Sequence, residues 1–286
     1  MSRDINMGLG WLRDLPDFRD YSVRTPEVKT ILAKSRSLQA VKKTLPSSVD
    51  LRKWCSPIEI QSRLGSCTAQ AGVGLLEYYQ RRAFNKHLDG SRRFLYKVTR
   101  KLLGWEFEGD TGAFLRTTMK AMVLFGIPPE QFWQYDIASF NDEPPPFCFS
   151  YAQNYKAIKY YRLDPGGASG KDILADVKTH LAAELPAMFG FTVYSSIPGL
   201  DAGTGDIPFP TDADSEEGGH AVVTVGYDDN HQIGGDTGAL LIRNSWGPRW
   251  GEQGYGWLPY SYVTKGLAAD FWSLVQAEFI DSDLFE

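Results

Sequence analysis

The chain has 286 residues, 43% hydrophobic and 23% charged, an ordinary globular composition that suits one large domain or two fused lobes. A net charge of -5 with no basic stripe argues against a nucleic-acid partner, and no window approaches the length of a membrane span. Three cysteines, Cys55, Cys67 and Cys148, allow one disulfide at most, so at least one thiol stays free and this is not a disulfide-stapled scaffold. Arg3, Asp4, Arg13 and Asp14 interrupt the start of the chain, which lacks an apolar run of signal-peptide length. A cytoplasmic protein, or one exported by an unconventional route, is the expectation.

Residues 1–45 read differently from the rest. They are either a mobile terminus or a segment that docks on the main body through Trp11 and Leu12, with some helix between Pro26 and Lys43. Ordered structure is predicted from Leu45. Ala69, Val73, Leu76 and Tyr79 recur at helical spacing, so a helix is predicted from Cys67 to about Ala83 with Ser66 as its N-cap. A second helix fits Thr111 to Phe125, stopped by Gly126 and Pro128, and a third fits Lys171 to Glu184. Pro144, Pro145 and Pro146 mark a loop or lobe connection. Ala187 to Val193 reads as a buried strand. Residues 196–219 read as a long acidic loop, functional or solvated, whose stretch 201–217 either gates a cleft or is a plain insertion. Ala221–Val225 and Ala239–Ile242 read as strands joined by a turn around Asp229 to Gly238. Helices first and strands later define an α+β plan with two lobes.

Cys67 stands where the Gly65-Ser66 loop turns into the first strong helix. A thiol there feels the positive end of the helix dipole and free backbone N–H groups, which stabilise the thiolate. Taken alone, Cys67 reads more readily as a small buried hydrophobe. His220 alters that balance. Of the four histidines, His87 reads as surface, His180 lies on a polar helix face and His231 sits in an Asp-rich turn. Only His220 has the Gly218-Gly219 loop before it and a strand behind it to hold it over a cleft. Asn244 can fix the imidazole tautomer, with Trp246 covering that bond from water. Gln61, a few residues before Cys67, can donate to a developing oxyanion together with the Cys67 N–H.

The blocks Gln61 to Cys67, Gly219 to Val222 and Ile242 to Gly247 resemble, in order, the three signature blocks of the papain family of cysteine peptidases. The spacing from Cys67 to His220 is close to that family's broad range of about 130–150 residues. Gly8, Trp11, Asp14 and Leu45 to Arg52 are similar to bacterial members. The resemblance implies a helical lobe over about 46–140, a mainly antiparallel β lobe over about 141–286 and a cleft between them. It implies a cysteine endopeptidase working through a thioester acyl-enzyme, with Cys67, His220, Asn244 and Gln61 catalytic and with no metal and no cofactor. It implies peptide contacts at Gly112, Phe114, Gly218, Gly219 and Trp246, with Asp270 at the floor of the main specificity pocket, where basic side chains would be tolerated. It also implies a zymogen, in which residues 1–45 are an inhibitory propeptide, and a monomer acting on peptides or proteins. Two departures stand out: Leu64 replaces the usual disulfide-bonded cysteine, and Thr68 replaces the usual tryptophan after the nucleophile. An amidase or acyltransferase using the same triad, and a catalytically silent homologue acting as a binding module, are the alternatives.

Overall fold

The computed structural model describes residues 7–34, 38, 41, 44–157, 159–197, 199 and 203–275. Its spine is helix α2 (Cys67–Phe84), preceded in the chain by β1 (Trp11–Leu12), α1 (Pro26–Ala33) and β2 (Ser48–Asp50). Every residue of α2 from Cys67 to Tyr79 is buried. A helix enclosed all round needs small residues where neighbours come close. Gly74 meets this need: a Cβ there would lie 2.5 Å from a guanidinium nitrogen of Arg243. Asn85, in the left-handed conformation at φ 48°, ends the helix.

Helix α3 (Arg92–Leu102) is capped by Ser91, whose hydroxyl accepts from Phe94 N–H at 3.2 Å. It buries Arg92, Arg93, Lys97 and Arg100, and each has an anionic, carbonyl or aromatic partner. Arg92 pairs with the buried Glu77 of α2, and Glu77 also accepts from Gly90 N–H at 2.9 Å. Arg100 donates to the carbonyls of Trp105 and Glu108, to Thr111 Oγ1 and to Asn141 Oδ1. It therefore fastens the loop that leads to β3 (Ala113–Phe114) and α4 (Leu115–Leu124). The helix predicted from Thr111 starts only at Leu115, because Gly112 has φ 70° and Phe114 is extended.

After α5 (Pro146–Ala152), the chain forms β4 (Lys159–Arg162), α6 (Gly170–Ala182), β5 (Ala187–Tyr194), β6 (Glu216–Ile233), β7 (Asp236–Arg243), β8 (Tyr255–Pro259), α7 (Tyr260–Thr264) and β9 (Ala268–Val275). The seven-stranded sheet has the order β4-β9-β5-β6-β7-β8, and β2 pairs with β6 beyond the end of β5. All of its pairings are antiparallel. The architecture is the α+β two-lobe plan, with α2 packed along β6. Ser169 and Asp172 form a capping box at the start of α6. His180, expected on a polar face, is buried against Tyr161.

The β6–β7 connection is tighter than the sequence predicts. Instead of a loop from Asp229 to Gly238, β6 runs on to Ile233 and turns at Gly234-Gly235, with Gly234 at φ 58°. Tertiary contacts extend the strand: His231 stacks on Trp257 at 4.3 Å, and Asp229 accepts from Tyr260 at 2.7 Å. The expected long acidic loop is also more ordered than its composition suggests. Ile207 is fully buried, its N–H donates to Trp257, and strand begins at Glu216. Asp201 lies outside the described residues. Cys55, Cys67 and Cys148 are all free and buried.

Glu77 joins α2 to α3 through a buried ion pair. Glu77→Ala leaves the Arg92 charge and the Gly90 N–H without that partner, and is expected to lower stability by about 3 kcal/mol in urea unfolding.

Candidate active site

Cys67 is the first residue of α2 and is wholly buried. Ser66 occupies the N-cap position but makes no capping bond, because its hydroxyl pairs instead with Tyr135 OH at 2.6 Å. The N–H groups of the first turn are therefore not claimed by a side-chain cap. Burial pushes the Cys67 thiol up to about 11, opposed by the backbone N–H groups of Ala221, Gly10 and Thr68.

The Ala221 contact brings the thiol to the residue that follows His220, which lies on β6 opposite Phe191. His220 Nε2 is 2.7 Å from Asn244 Oδ1, which also accepts from Ser245 N–H at 2.8 Å. An oxygen that accepts twice fixes the proton on Nε2 and leaves the lone pair on Nδ1. Nδ1 is buried and has no hydrogen-bond partner among the described residues. Trp246 stacks on the imidazole with centroids 4.6 Å apart. Burial pushes His220 down to about 4, with the Asn244 bond acting the other way. Near neutral pH this enclosed pair is a neutral thiol and a neutral imidazole.

Gln61 is fully buried, with its amide held in one orientation. Its Oε1 accepts from Ser245 Oγ at 2.5 Å, so Nε2 faces the cleft and donates to the carbonyls of Gly8 at 2.7 Å and Leu64 at 3.0 Å. Gly8 belongs to the N-terminal strap that fills the cleft. Gly8 N–H donates to Ser62 O, and Gly10 O accepts from Ala113 N–H, both at 2.8 Å. β1 then runs parallel to β3, pairing Trp11 with Ala113 and Leu12 with Phe114. Close approach explains the strap's glycines: a Cβ on Gly8 would lie 2.1 Å from Leu64 O, and one on Gly10 would lie 1.9 Å from Gly65 O.

Of the residues expected to meet a peptide, Gly112, Phe114, Gly218, Gly219 and Asp270 are met by the strap or border it, whereas Trp246 packs on His220 and Trp250. A Cβ on Gly112 would lie 2.3 Å from Gly10 O, one on Gly218 3.2 Å from the Leu9 side chain, and one on Gly219 2.2 Å from Trp11 O. Phe114 lies beside Leu12, its ring against Trp105. Asp270 sits in a bulged stretch of β9 at φ 66°, fully buried, with Oδ2 accepting from the Trp11 indole N–H at 3.2 Å. Burial pushes its carboxyl up to about 6, against the opposing pull of Arg162.

Sequence reasoning missed four supports. Arg116 holds the strap through Asp14, Asp20 and the Leu15 carbonyl, and Arg162 donates to the Asp14 carbonyl at 3.0 Å. Gly190 admits the Trp11 ring, where a Cβ would lie 2.0 Å from it; a glycine interrupting an otherwise bulky buried strand was the available signal. Asp110 ties two walls together. Its Oδ2 accepts from Gly65 N–H at 2.7 Å and its Oδ1 from Tyr96 OH at 2.5 Å, while Tyr96 OH accepts from Gly112 N–H at 3.0 Å. No local pattern marks Asp110, because its partners are distant in sequence.

Residues 45–269 match the profile described as papain family cysteine protease, and the chain belongs to that family; it is a papain-like cysteine peptidase, a hydrolase. Its fold is similar to that of xylellain, a cysteine protease from Xylella fastidiosa, at 35% identity and a TM-score of 0.73, covering 96% of this chain and 99% of that one. A peptidase C1-like protein of Acanthamoeba polyphaga mimivirus is 32% identical, over 94% of this chain and 86% of its own length. Cathepsin K of Gallus gallus is 30% identical over 73% of this chain, which spans 58% of that relative.

Two predictions follow from the buried thiol. With a thiol near 11, roughly one molecule in ten thousand carries a thiolate at neutral pH, so iodoacetamide should modify Cys67 appreciably only above about pH 10. In the full chain carrying Gly10→Val/Trp11→Ala the strap no longer fits, and resolvation lowers the thiol and raises the imidazole. The rate at Cys67 near neutral pH should then rise at least about tenfold, as read by mass spectrometry.

Asp110→Asn in that background should cost about 1–2 kcal/mol of stability. It should also move the Cys67 alkylation profile to lower pH, since the Asp110 charge raises that thiol.

Proposed function

We propose that this protein is a cysteine endopeptidase made as a zymogen, with Cys67 as nucleophile and residues 1–45 as its inhibitory segment. The supporting observation is the Gly8 carbonyl on Gln61 Nε2 at 2.7 Å: a peptide carbonyl already occupies the donor that the reaction needs. The strap occupies the cleft with reversed polarity. Its pocket residue Trp11 follows the carbonyl held by Gln61, whereas a substrate places its pocket residue before the scissile bond. The contacts of a substrate are thus made without presenting a bond for acyl transfer.

With the strap displaced, a proton passes from the Cys67 thiol to His220 Nδ1. The thiolate adds to the scissile carbonyl, and the oxyanion is held by Gln61 Nε2 and the Cys67 N–H. Imidazolium His220 protonates the leaving amine as the C–N bond breaks, which leaves a thioester. Neutral His220 then takes a proton from water, hydroxide adds to the thioester carbonyl, and the acid departs as the sulfur is released and reprotonated. Asn244 keeps the Nε2 proton in place throughout, and Trp246 shields that bond.

A peptidyl epoxide tests this reading. It should label Cys67 in the full-length Gly10→Val/Trp11→Ala chain and not in the unaltered chain, and His220→Ala in the variant should abolish labelling. Equal labelling of both chains would remove the zymogen, and no labelling of the folded variant would favour a silent homologue. Gln61→Ala in the variant should reduce kcat by roughly a hundredfold or more on a fluorogenic peptide.

A further inference from the structure

The strap also shows which side chain the main pocket is shaped to receive. Trp11 is nearly fully buried. The space for its ring exists because two neighbours lack side chains: a Cβ on Gly190 would lie 2.0 Å from the indole, and one on Gly219 would lie 2.9 Å from it. At the far end the indole N–H meets Asp270 Oδ2 at 3.2 Å. The pocket thus combines the width of an indole with a carboxylate acceptor at its floor.

That acceptor is not free to hold a cation. Asp270 Oδ1 takes the Trp272 indole N–H at 2.8 Å and lies 3.2 Å from the guanidinium of Arg162, which is also fully buried. Asp164 keeps Arg162 in place at 3.0 Å, so the guanidinium does not depend on the strap for its position. A substrate arginine or lysine at the floor would have to share Asp270 with Arg162 and the Trp272 N–H and give up its hydration in a closed site. A neutral N–H donor meets the same carboxylate at a smaller desolvation cost, as the Trp11 indole does. The inference departs here from the expectation that basic side chains are tolerated.

Resting on the peptidase reading, we infer that the enzyme selects substrates carrying tryptophan at the second residue before the scissile bond, with Gly190 setting the width of the pocket and Asp270 reading the indole N–H. The strap blocks the cleft partly by presenting this preferred side chain in the wrong chain direction.

The test uses the full-length Gly10→Val/Trp11→Ala chain and fluorogenic peptides that differ only at that position: Trp, benzothienylalanine (the same shape with no N–H), Leu and Arg. Active sites are first titrated with a peptidyl epoxide carrying a small alkyl side chain. Trp should give the highest kcat/KM. Benzothienylalanine should fall roughly ten- to a hundredfold below it, the usual range for a hydrogen bond to a charged acceptor, and Arg at least as far. Asp270→Asn should narrow the gap between Trp and its isostere. Among molecules that the epoxide titrates, Gly190→Val should remove the preference for Trp over Leu. Full titration with Leu or Arg preferred over Trp, or with Gly190→Val leaving the order unchanged, would overturn the inference alone. Failure to titrate Cys67 would overturn the peptidase reading and the inference with it.

Discussion

The packing of α2 along β6 is the constraint on which the rest of the structure depends. It brings the N-terminal end of a buried helix against the middle of a long strand, and so places the Cys67 sulfur within reach of the Ala221 N–H, next to His220. Enclosure of this kind acts in two directions. It keeps water away from the His220–Asn244 bond beneath Trp246, and it raises the thiol and lowers the imidazole until neither carries charge. The proposed chemistry requires the opposite charge state, so whatever opens the cleft also changes the protonation of the pair.

The strap is fitted to the cleft by shape and fastened by charge. Gly8 and Gly10 allow it to lie against the backbone of the Gln61–Cys67 loop, and Trp11 fills the pocket between Gly190 and Gly219. Beyond the pocket, Arg116 and Arg162 reach carboxylates and carbonyls of Asp14, Leu15 and Asp20. The apolar contact sets the register, and the ionic contacts on its flank hold the chain as it leaves the cleft.

Polar networks maintain the cleft walls. Asp110 joins Gly65 directly and Gly112 through Tyr96, and Arg100 secures the loop between α3 and β3. A disulfide usual in the family would act near this place, but Leu64 stands at the position of its cysteine and all three thiols are free. Hydrogen bonds to the Asp110 carboxylate do the positioning instead, and thiol reductants do not break them.

The sequence by itself determined the elements and side chains whose signals are local. Helical spacing after Gly65-Ser66 marked α2, the run from Ala187 marked β5, and three short blocks singled out Gln61, Cys67, His220 and Asn244, which are found gathered in one enclosed site. Tertiary structure alone decided what depends on distant partners. β6 extends to Ile233 because Trp257 and Tyr260 receive His231 and Asp229. The Ser66 hydroxyl leaves its capping role and pairs with Tyr135. Trp11 meets Asp270 across 259 positions of chain, a contact that no window of sequence contains. Periodicity and motif report what a residue does with its neighbours in the chain; which side chain fills a pocket, and which charge a buried carboxylate already faces, are settled only when the chain closes on itself.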